Sequence, residues 1–82
     1  MRDVADSSAD FWRLFGRVLG RELAPGRYTR DDLPEWDSLR HIELVFELEQ
    51  RFGLEIDGDA IVALYSDTDA ILDFLAARTG PR

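Results

Sequence analysis

The sequence contains no cysteine, no lysine and only one histidine. Without cysteine, the chain can form no disulfide, carry no thiolate nucleophile and offer no thiolate to a metal. The single histidine, His41, excludes a metal site built from several imidazoles. All ten basic residues are arginine, which indicates the composition bias of GC-rich bacteria.

Long apolar runs are also missing. No stretch approaches the length of a membrane span, and residues 1–6 contain no apolar core of the length found in signal peptides. We therefore expect a cytoplasmic protein that does not enter a membrane.

Positively charged residues are in the minority. The chain has 17 acidic and 10 basic residues, which give a formal net charge of -7. Binding to nucleic acid needs clustered basic residues, so that class of function is disfavoured. An acidic surface instead favours protein partners with basic patches.

The 82 residues suffice for one small domain, residues 1–82, with frayed ends expected at about 1–6 and 79–82. Hydrophobic residues make up 45% and charged residues 33% of the chain, which is typical of a folded domain rather than a disordered one. We expect a monomer that is too small for an elaborate catalytic cleft.

Apolar residues at helical spacing predict a first helix, capped by Ser7 or Ser8 and continuing to Leu23. The arginines opposite are either the solvated back of that helix or a docking site for an acidic partner. The apolar face comprises Phe11, Leu14, Phe15, Val18, Leu19 and Leu23, and the arginine stripe comprises Arg13, Arg17 and Arg21.

The longest apolar-periodic run predicts a second helix that begins at Ser38 and is stopped by Gly53. Projection of this helix separates two apolar groups, although a surface helix needs only one group to pack. The second group is therefore either a contact surface for a partner or covered by a neighbouring loop. The expected core group is His41, Leu44, Val45, Leu48 and Phe52, and the second group is Leu39, Ile42 and Phe46.

The remaining segments complete a small bundle. Residues 25–36 form a loop that Leu33 and Trp36 are expected to anchor, and residues 54–56 are extended. A short helix is predicted over 60–64, and a last helix follows a cap at Ser66 or Asp67. The predicted fold class is all-α: a four-helix bundle with three longer helices and one short helix.

No metal site is predicted. The aspartates at 57, 59, 67 and 69 faintly resemble a calcium-binding loop, but the further ligands that such a loop requires are missing. We interpret them as helix caps and turn residues.

Ser38 allows three interpretations from the residues alone. It lies three positions before His41, so a nucleophile and base are conceivable, but a hydrolase also needs an orienting carboxylate and oxyanion donors. Either Asp37 or Ser38 can simply cap the helix. A serine at a helix start is also a favourable place for a phosphodiester, because the helix N-terminus stabilises anions.

The region around Ser38 resembles a known family. The motif Trp36-Asp37-Ser38-Leu39, followed by residues 42–56 (IELVFELEQRFGLEI), is similar to the phosphopantetheine attachment region of acyl carrier proteins. The likeness is specific over residues 36–56 and extends more loosely over nearly the whole chain.

The resemblance implies a carrier without catalytic residues, in which Ser38 holds covalent 4'-phosphopantetheine from coenzyme A beside Asp37 and Leu39. A separate, magnesium-dependent phosphopantetheinyl transferase attaches this arm, whose thiol carries acyl groups as thioesters. The core face of the second helix would line the space that shelters an acyl chain. Acyl-loading, acyltransferase, ketosynthase or tailoring enzymes with basic patches would dock on that helix, at Leu39, Ile42, Glu43, Phe46, Glu47 and Glu49.

Two departures from the family bear on the pathway. Arg40 stands where carriers of fatty acid synthesis usually have an acidic residue, and Trp36 replaces a common glycine. Both favour a free-standing carrier of natural-product biosynthesis, with a polyketide as the first interpretation. A peptidyl or aminoacyl carrier of a nonribosomal pathway and a non-covalent helical adaptor are the alternatives.

Overall fold

Four α-helices follow one another in the computed structural model, which describes the backbone of residues 4–79 and the side chains of residues 8–78. Within this part there is no strand, only an isolated bridge between Thr29 and Asp67. The predicted all-α bundle of three longer helices and one short helix is confirmed. The helices are α1 (Val4–Leu19), α2 (Ser38–Phe52), α3 (Gly58–Leu64) and α4 (Thr68–Thr79), with a 3₁₀ helix over Arg30–Asp32.

Helix α1 is displaced from its predicted bounds at both ends. It begins at Val4, so Ser7 and Ser8 lie inside the helix and do not cap it. It ends at Leu19 rather than near Leu23, because Gly20 adopts a left-handed conformation with φ of 79°. Of the ends expected to fray, residues 1–3 and 80–82 lie outside the described residues, whereas residues 4–6 and 79 are helical.

Helix α2 has the bounds that the sequence predicts. The Asp37 side chain accepts a hydrogen bond from the backbone N–H of Arg40 at 2.9 Å and so caps the first turn. At the other end Gly53 takes the left-handed conformation, with φ of 66°, that closes a helix.

The core lies between the apolar faces of all four helices and the long loop. The predicted anchors Leu33 and Trp36 are both buried, as are Leu44 and Leu48 from the core face of α2. Trp12 is buried too, although it was absent from the predicted apolar face of the first helix. The aromatic rings of α1 pack edge-on or stacked against one another, which fills the centre of the bundle.

Two of the four aspartates that faintly resemble a calcium site, Asp57 and Asp67, accept capping hydrogen bonds. Asp57 accepts a hydrogen bond from Ala60 N at 2.9 Å and starts α3 two residues earlier than predicted. Asp67 accepts one from Ala70 N at 2.8 Å at the start of α4. No group of three or more acidic or histidine side chains in the described region is placed to hold a metal ion.

The long loop is fastened to the start of α4 through Thr68, which is fully buried. Its hydroxyl accepts from Tyr28 N at 3.0 Å and donates to Gly26 O at 3.2 Å. This attachment holds the loop that leads into Trp36 and Ser38. Of the helices described, none is long and apolar enough to cross a membrane.

Candidate functional site

Ser38 is the first residue of α2, and its side chain is exposed. Because Asp37 takes the capping position, the Ser38 hydroxyl is not needed to satisfy the helix end, and it makes no hydrogen bond to any described residue. The choice between Asp37 and Ser38 as the cap is therefore decided for Asp37. A solvent-exposed hydroxyl remains at the positive end of a helix of 15 residues.

His41 is buried, with 2% of its surface exposed, and both of its ring nitrogens are occupied. The Trp36 indole Nε1–H can only donate, so His41 Nδ1 accepts its hydrogen bond of 3.1 Å. Nε2 then carries the proton and donates to the Ile61 carbonyl at 2.8 Å. With both nitrogens engaged away from solvent, His41 cannot serve Ser38 as a general base in this arrangement.

His41 gives the free energy of unfolding a pH dependence. Burial is the main cause that lowers the pKa of His41 below 6.5, and the nearby Arg30 guanidinium adds to it, while the hydrogen bond to Ile61 opposes it. The unfolded chain therefore binds more protons than the folded one just below pH 6.5. The stability that neutral His41 supports is present above pH 6.5 and is lost as pH falls through its lowered folded pKa.

We accordingly expect the midpoint of urea unfolding to fall when pH drops by one unit below 6.5. The Tyr65 ring stacks on the His41 ring with centres 4.7 Å apart, and the Arg30 guanidinium lies over the Tyr65 ring. A His41→Gln variant is the control, because it should show no change in midpoint over the same range. A wild-type midpoint that stays flat there would mean that the folded bundle does not lower the pKa of His41.

Three apolar side chains of α2 remain open to solvent. Leu39 is 66% exposed, Ile42 54% and Phe46 59%, so no loop among the described residues covers them. They recur at three- and four-residue spacing and share one side of the helix, together with Glu43. We call Leu39, Ile42, Glu43 and Phe46 the exposed face of α2. Such a cluster on a small acidic chain is typical of a contact surface.

The three acidic residues predicted for docking differ in availability. Glu43 is exposed and makes no ion pair with the described residues. Glu47 forms an ion pair with Arg17 at 3.1 Å on the surface between α1 and α2. Glu49 accepts a hydrogen bond from Ile56 N at 2.8 Å and so holds the extended segment 54–56. Glu49 is thus engaged in a hydrogen bond within the chain. Of these three residues, only Glu43 has a carboxylate without a partner among the described residues.

The arginines of the described residues are all engaged within the chain, including the stripe of α1. Arg13 pairs with Asp10 at 3.0 Å, and Arg21 pairs with Glu35 at 2.8 Å. The stripe is therefore neither free nor unpaired, although exposed pairs of this kind add little stability. The remaining arginines contact Asp67 and Asp69 (Arg27), the Tyr65 ring (Arg30), the Val18 carbonyl (Arg40), Asp10 (Arg51) and the Phe74 ring (Arg78).

Several acidic side chains, in contrast to the arginines, have no partner within the described part of the chain. These side chains are exposed and have no hydrogen-bond or ion-pair partner among the described residues: Glu22, Asp31, Glu43, Glu55, Asp59 and Asp73. The charge that this part of the surface offers to a partner is consequently negative.

Both departures from the family pattern have structural roles. The Arg40 side chain donates to the Val18 carbonyl at 2.9 Å, at the last turn of α1, where a cation is favourable. Trp36 is 2% exposed and packs edge-on against Phe15 with ring centres 5.2 Å apart. Sequence reasoning missed both contacts, because each joins residues about 20 positions apart that no local pattern relates.

Comparisons of the chain with protein-family models, with curated proteins and with solved structures give no match. The case for a function therefore rests on the motif, the geometry of α2 and the distribution of charge.

Proposed function

We propose that this chain is a carrier protein whose Ser38 holds a 4'-phosphopantetheine arm. The observation that carries the proposal is the exposed Ser38 hydroxyl at the start of α2, which Asp37 frees from capping, beside the exposed face of α2. The Asp37-Ser38-Leu39 motif and its resemblance to acyl carrier proteins supply the chemistry. Ser38 is the only residue of the chain to which we assign a covalent role.

The residues present fit such an arm. A phosphodiester on Ser38 Oγ would lie beside unpaired N–H groups of the first turn of α2, at the positive end of its dipole. The Asp37 carboxylate accepts a hydrogen bond from the Arg40 N–H, so it leaves the N–H groups of Ser38 and Leu39 without a capping partner. The exposure of Ser38 leaves room for a transferase to approach.

Attachment is a phosphoryl transfer in which Ser38 Oγ bonds to the pantetheine-bearing phosphorus of coenzyme A. The phosphorus–oxygen bond of the pyrophosphate breaks, 3',5'-ADP leaves, and the serine proton passes to a base of the phosphopantetheinyl transferase. Once bound, the arm supplies a thiol that carries an acyl group as a thioester. This chain's own residues position the arm and present a surface to each enzyme, which raises the local concentration of the cargo.

The proposal is tested by incubating the protein with coenzyme A, magnesium and a broad-specificity phosphopantetheinyl transferase, and recording the intact mass. We expect one phosphopantetheine to be added. Peptide mapping should place it on the segment that contains Ser38. An unchanged mass in a sample that keeps its helical circular dichroism would reject the proposal.

The exposed face of α2 is proposed as the surface on which the transferase and acyl-handling enzymes with basic patches dock, with a polyketide or nonribosomal pathway as the context. Replacing Glu43 by arginine reverses a free charge in the middle of this face. We expect kcat/KM for loading by the transferase to fall on the order of tenfold at low salt, with a weaker dependence on salt.

Asp73→Arg is the matched control for Glu43→Arg. Asp73 is an exposed aspartate of α4 without a partner among the described residues, so its reversal changes the net charge equally. Loading of this variant should stay close to wild type. Equal losses in both variants would mean that overall charge, and not the exposed face of α2, governs the encounter.

A non-covalent helical adaptor is the second candidate, and the exposure of Leu39, Ile42 and Phe46 favours it independently of Ser38. An adaptor would bind its partner without coenzyme A and would keep that binding in Ser38→Ala. Absence of phosphopantetheine after the loading reaction, together with retained binding, would select this candidate.

A further inference from the structure

The space behind Ser38 is filled by aromatic rings. The Trp36 ring packs on Phe15 from α1 at 5.2 Å and on Tyr65, just after α3, at 5.9 Å between centres. The His41 ring stacks on Tyr65 at 4.7 Å. These rings reach from α1 to the end of α3, and two of them, Trp36 and His41, lie two positions before and three positions after Ser38 in the chain, so they fill the core next to the start of α2.

Hydrogen bonds join the Trp36 and His41 rings to each other and join His41 to α3. Trp36 Nε1 donates to His41 Nδ1 at 3.1 Å, and His41 Nε2 donates to the Ile61 carbonyl in α3 at 2.8 Å. We call Trp36, His41 and the Ile61 carbonyl the Trp–His bridge. The Tyr65 hydroxyl adds a bond to the Trp36 carbonyl at 3.3 Å. Parting α2 from α3 at this end would leave buried polar groups unpaired, which is costly.

The core face of α2 offers no alternative route. Leu44 and Leu48 are completely buried in the hydrophobic core. Two surface grooves of about 450 Å³ exist, but one is lined mainly by charged side chains of α1 and α2. The other is lined by α1 and the turn that follows it, and includes no residue of α2 or α3. A third, smaller groove of about 260 Å³ lies between α1 and α2 beside Val18 and Phe46. None of these three grooves is lined by Ser38 or by a residue of α3.

We infer that the Trp–His bridge keeps the cargo of this carrier outside the bundle, so that its acyl group is short or polar rather than a long fatty chain. This inference rests on the proposed function of Ser38. A long alkyl chain gains stability only by leaving water. A short or polar acyl group gains little from burial, so presenting it in solvent on the flexible arm costs little.

The test uses acetyl, hydroxyacetyl and octanoyl coenzyme A as donors for the transferase, with the protein labelled with nitrogen-15. The two buried tryptophans supply an internal comparison. Trp36 belongs to the Trp–His bridge, whereas Trp12 packs against Phe11 and Tyr28 elsewhere in the core. We expect the indole N–H signal of Trp36 to shift no more than that of Trp12 between the acetyl and octanoyl forms. The rate of thioester hydrolysis, taken relative to that of the same acyl coenzyme A in solution, should be the same for both chains.

Three outcomes are distinguishable. Equal indole signals and equal hydrolysis rates support the inference. A selective shift of the Trp36 indole in the octanoyl form, with slower hydrolysis of its thioester, would show that the chain is sheltered and would overturn the inference while leaving the carrier function intact. Failure of every donor to add mass to Ser38 would reject the proposed function, and the inference with it.

Discussion

Replacing Ser38 by alanine is expected to abolish the addition of phosphopantetheine completely while leaving the free energy of unfolding within about 0.5 kcal/mol of wild type. The structure makes these two effects separable, because the Ser38 hydroxyl is exposed and makes no hydrogen bond to the described residues. Asp37, and not Ser38, satisfies the first turn of α2. Intact mass after the loading reaction measures the first effect, and urea unfolding measures the second.

Asp37→Ala is the stability control for this experiment. It removes the side chain that accepts from Arg40 N, so it should cost about 1 kcal/mol, as the loss of a helix cap usually does. A loss of that size in Ser38→Ala instead would mean that the hydroxyl has a structural role after all.

Ser66→Ala is the chemical control. Ser66 is also an exposed serine near the start of a helix, and its hydroxyl donates to the Ala63 carbonyl at 3.2 Å. We expect this variant to be loaded like wild type. Mass addition that persists in Ser38→Ala and disappears in Ser66→Ala would move the attachment site and refute the assignment.

Helix α2 could be predicted closely because its signals are local. An aspartate cap, an apolar repeat and a terminal glycine all lie within the segment that they define. The separation of its buried side from Leu39, Ile42 and Phe46 follows from helical geometry alone, and the exposure of these residues in the structure confirms it.

The first helix was placed less well because its end depends on a single backbone conformation. Leu23 continues the apolar pattern and is buried, yet it belongs to the turn after α1 and not to the helix. Gly20 ends the helix, and its N–H and that of Arg21 both bond to the Gly16 carbonyl, at 2.8 and 3.0 Å. Side-chain periodicity reports which residues are buried, but it does not distinguish a helix from a turn that returns to the same core.

Three contacts that attach α2 to the rest of the chain could not be predicted from local pattern. Glu49 bonds to Ile56, Arg40 to Val18 and His41 to Ile61, and each of these pairs comes from separate elements. From sequence, Glu49 was predicted to be a docking residue and Arg40 was only a departure from a family. In the structure the Glu49 side chain binds the segment after α2, and the Arg40 side chain binds the last turn of α1. Glu43 is the acidic residue on the exposed face of α2.

The largest loss of stability is expected for Trp36→Ala. Truncating a buried tryptophan to alanine costs about 3–5 kcal/mol, and leaving His41 Nδ1 without its donor adds about 1–3 kcal/mol. A domain of this length has a total stability of about 4–12 kcal/mol, at roughly 0.05–0.15 kcal/mol per residue. Trp36→Ala should therefore remove most of the folded population or leave a marginal fold, as urea unfolding followed by circular dichroism would show.

Two further variants separate packing from hydrogen bonding at this position. Trp12→Ala creates a cavity of the same chemical kind in another part of the core, without removing a partner of His41. Its loss of stability should therefore be the smaller of the two. A loss in Trp36→Ala below about 1 kcal/mol would contradict the buried role of the ring.

Trp36→Phe keeps an aromatic ring beside Phe15 but removes the indole N–H from the Trp–His bridge. Protonation of His41 at Nδ1 then no longer breaks a hydrogen bond, because no donor faces that nitrogen. The decline in stability just below pH 6.5 should therefore be shallower in this variant than in wild type. If the decline is unchanged, burial alone sets the pKa of His41 and the indole contributes only volume. If it is reduced, the same bond that closes the space behind Ser38 also holds His41 neutral, and this end of the bundle should loosen as the solution becomes acidic.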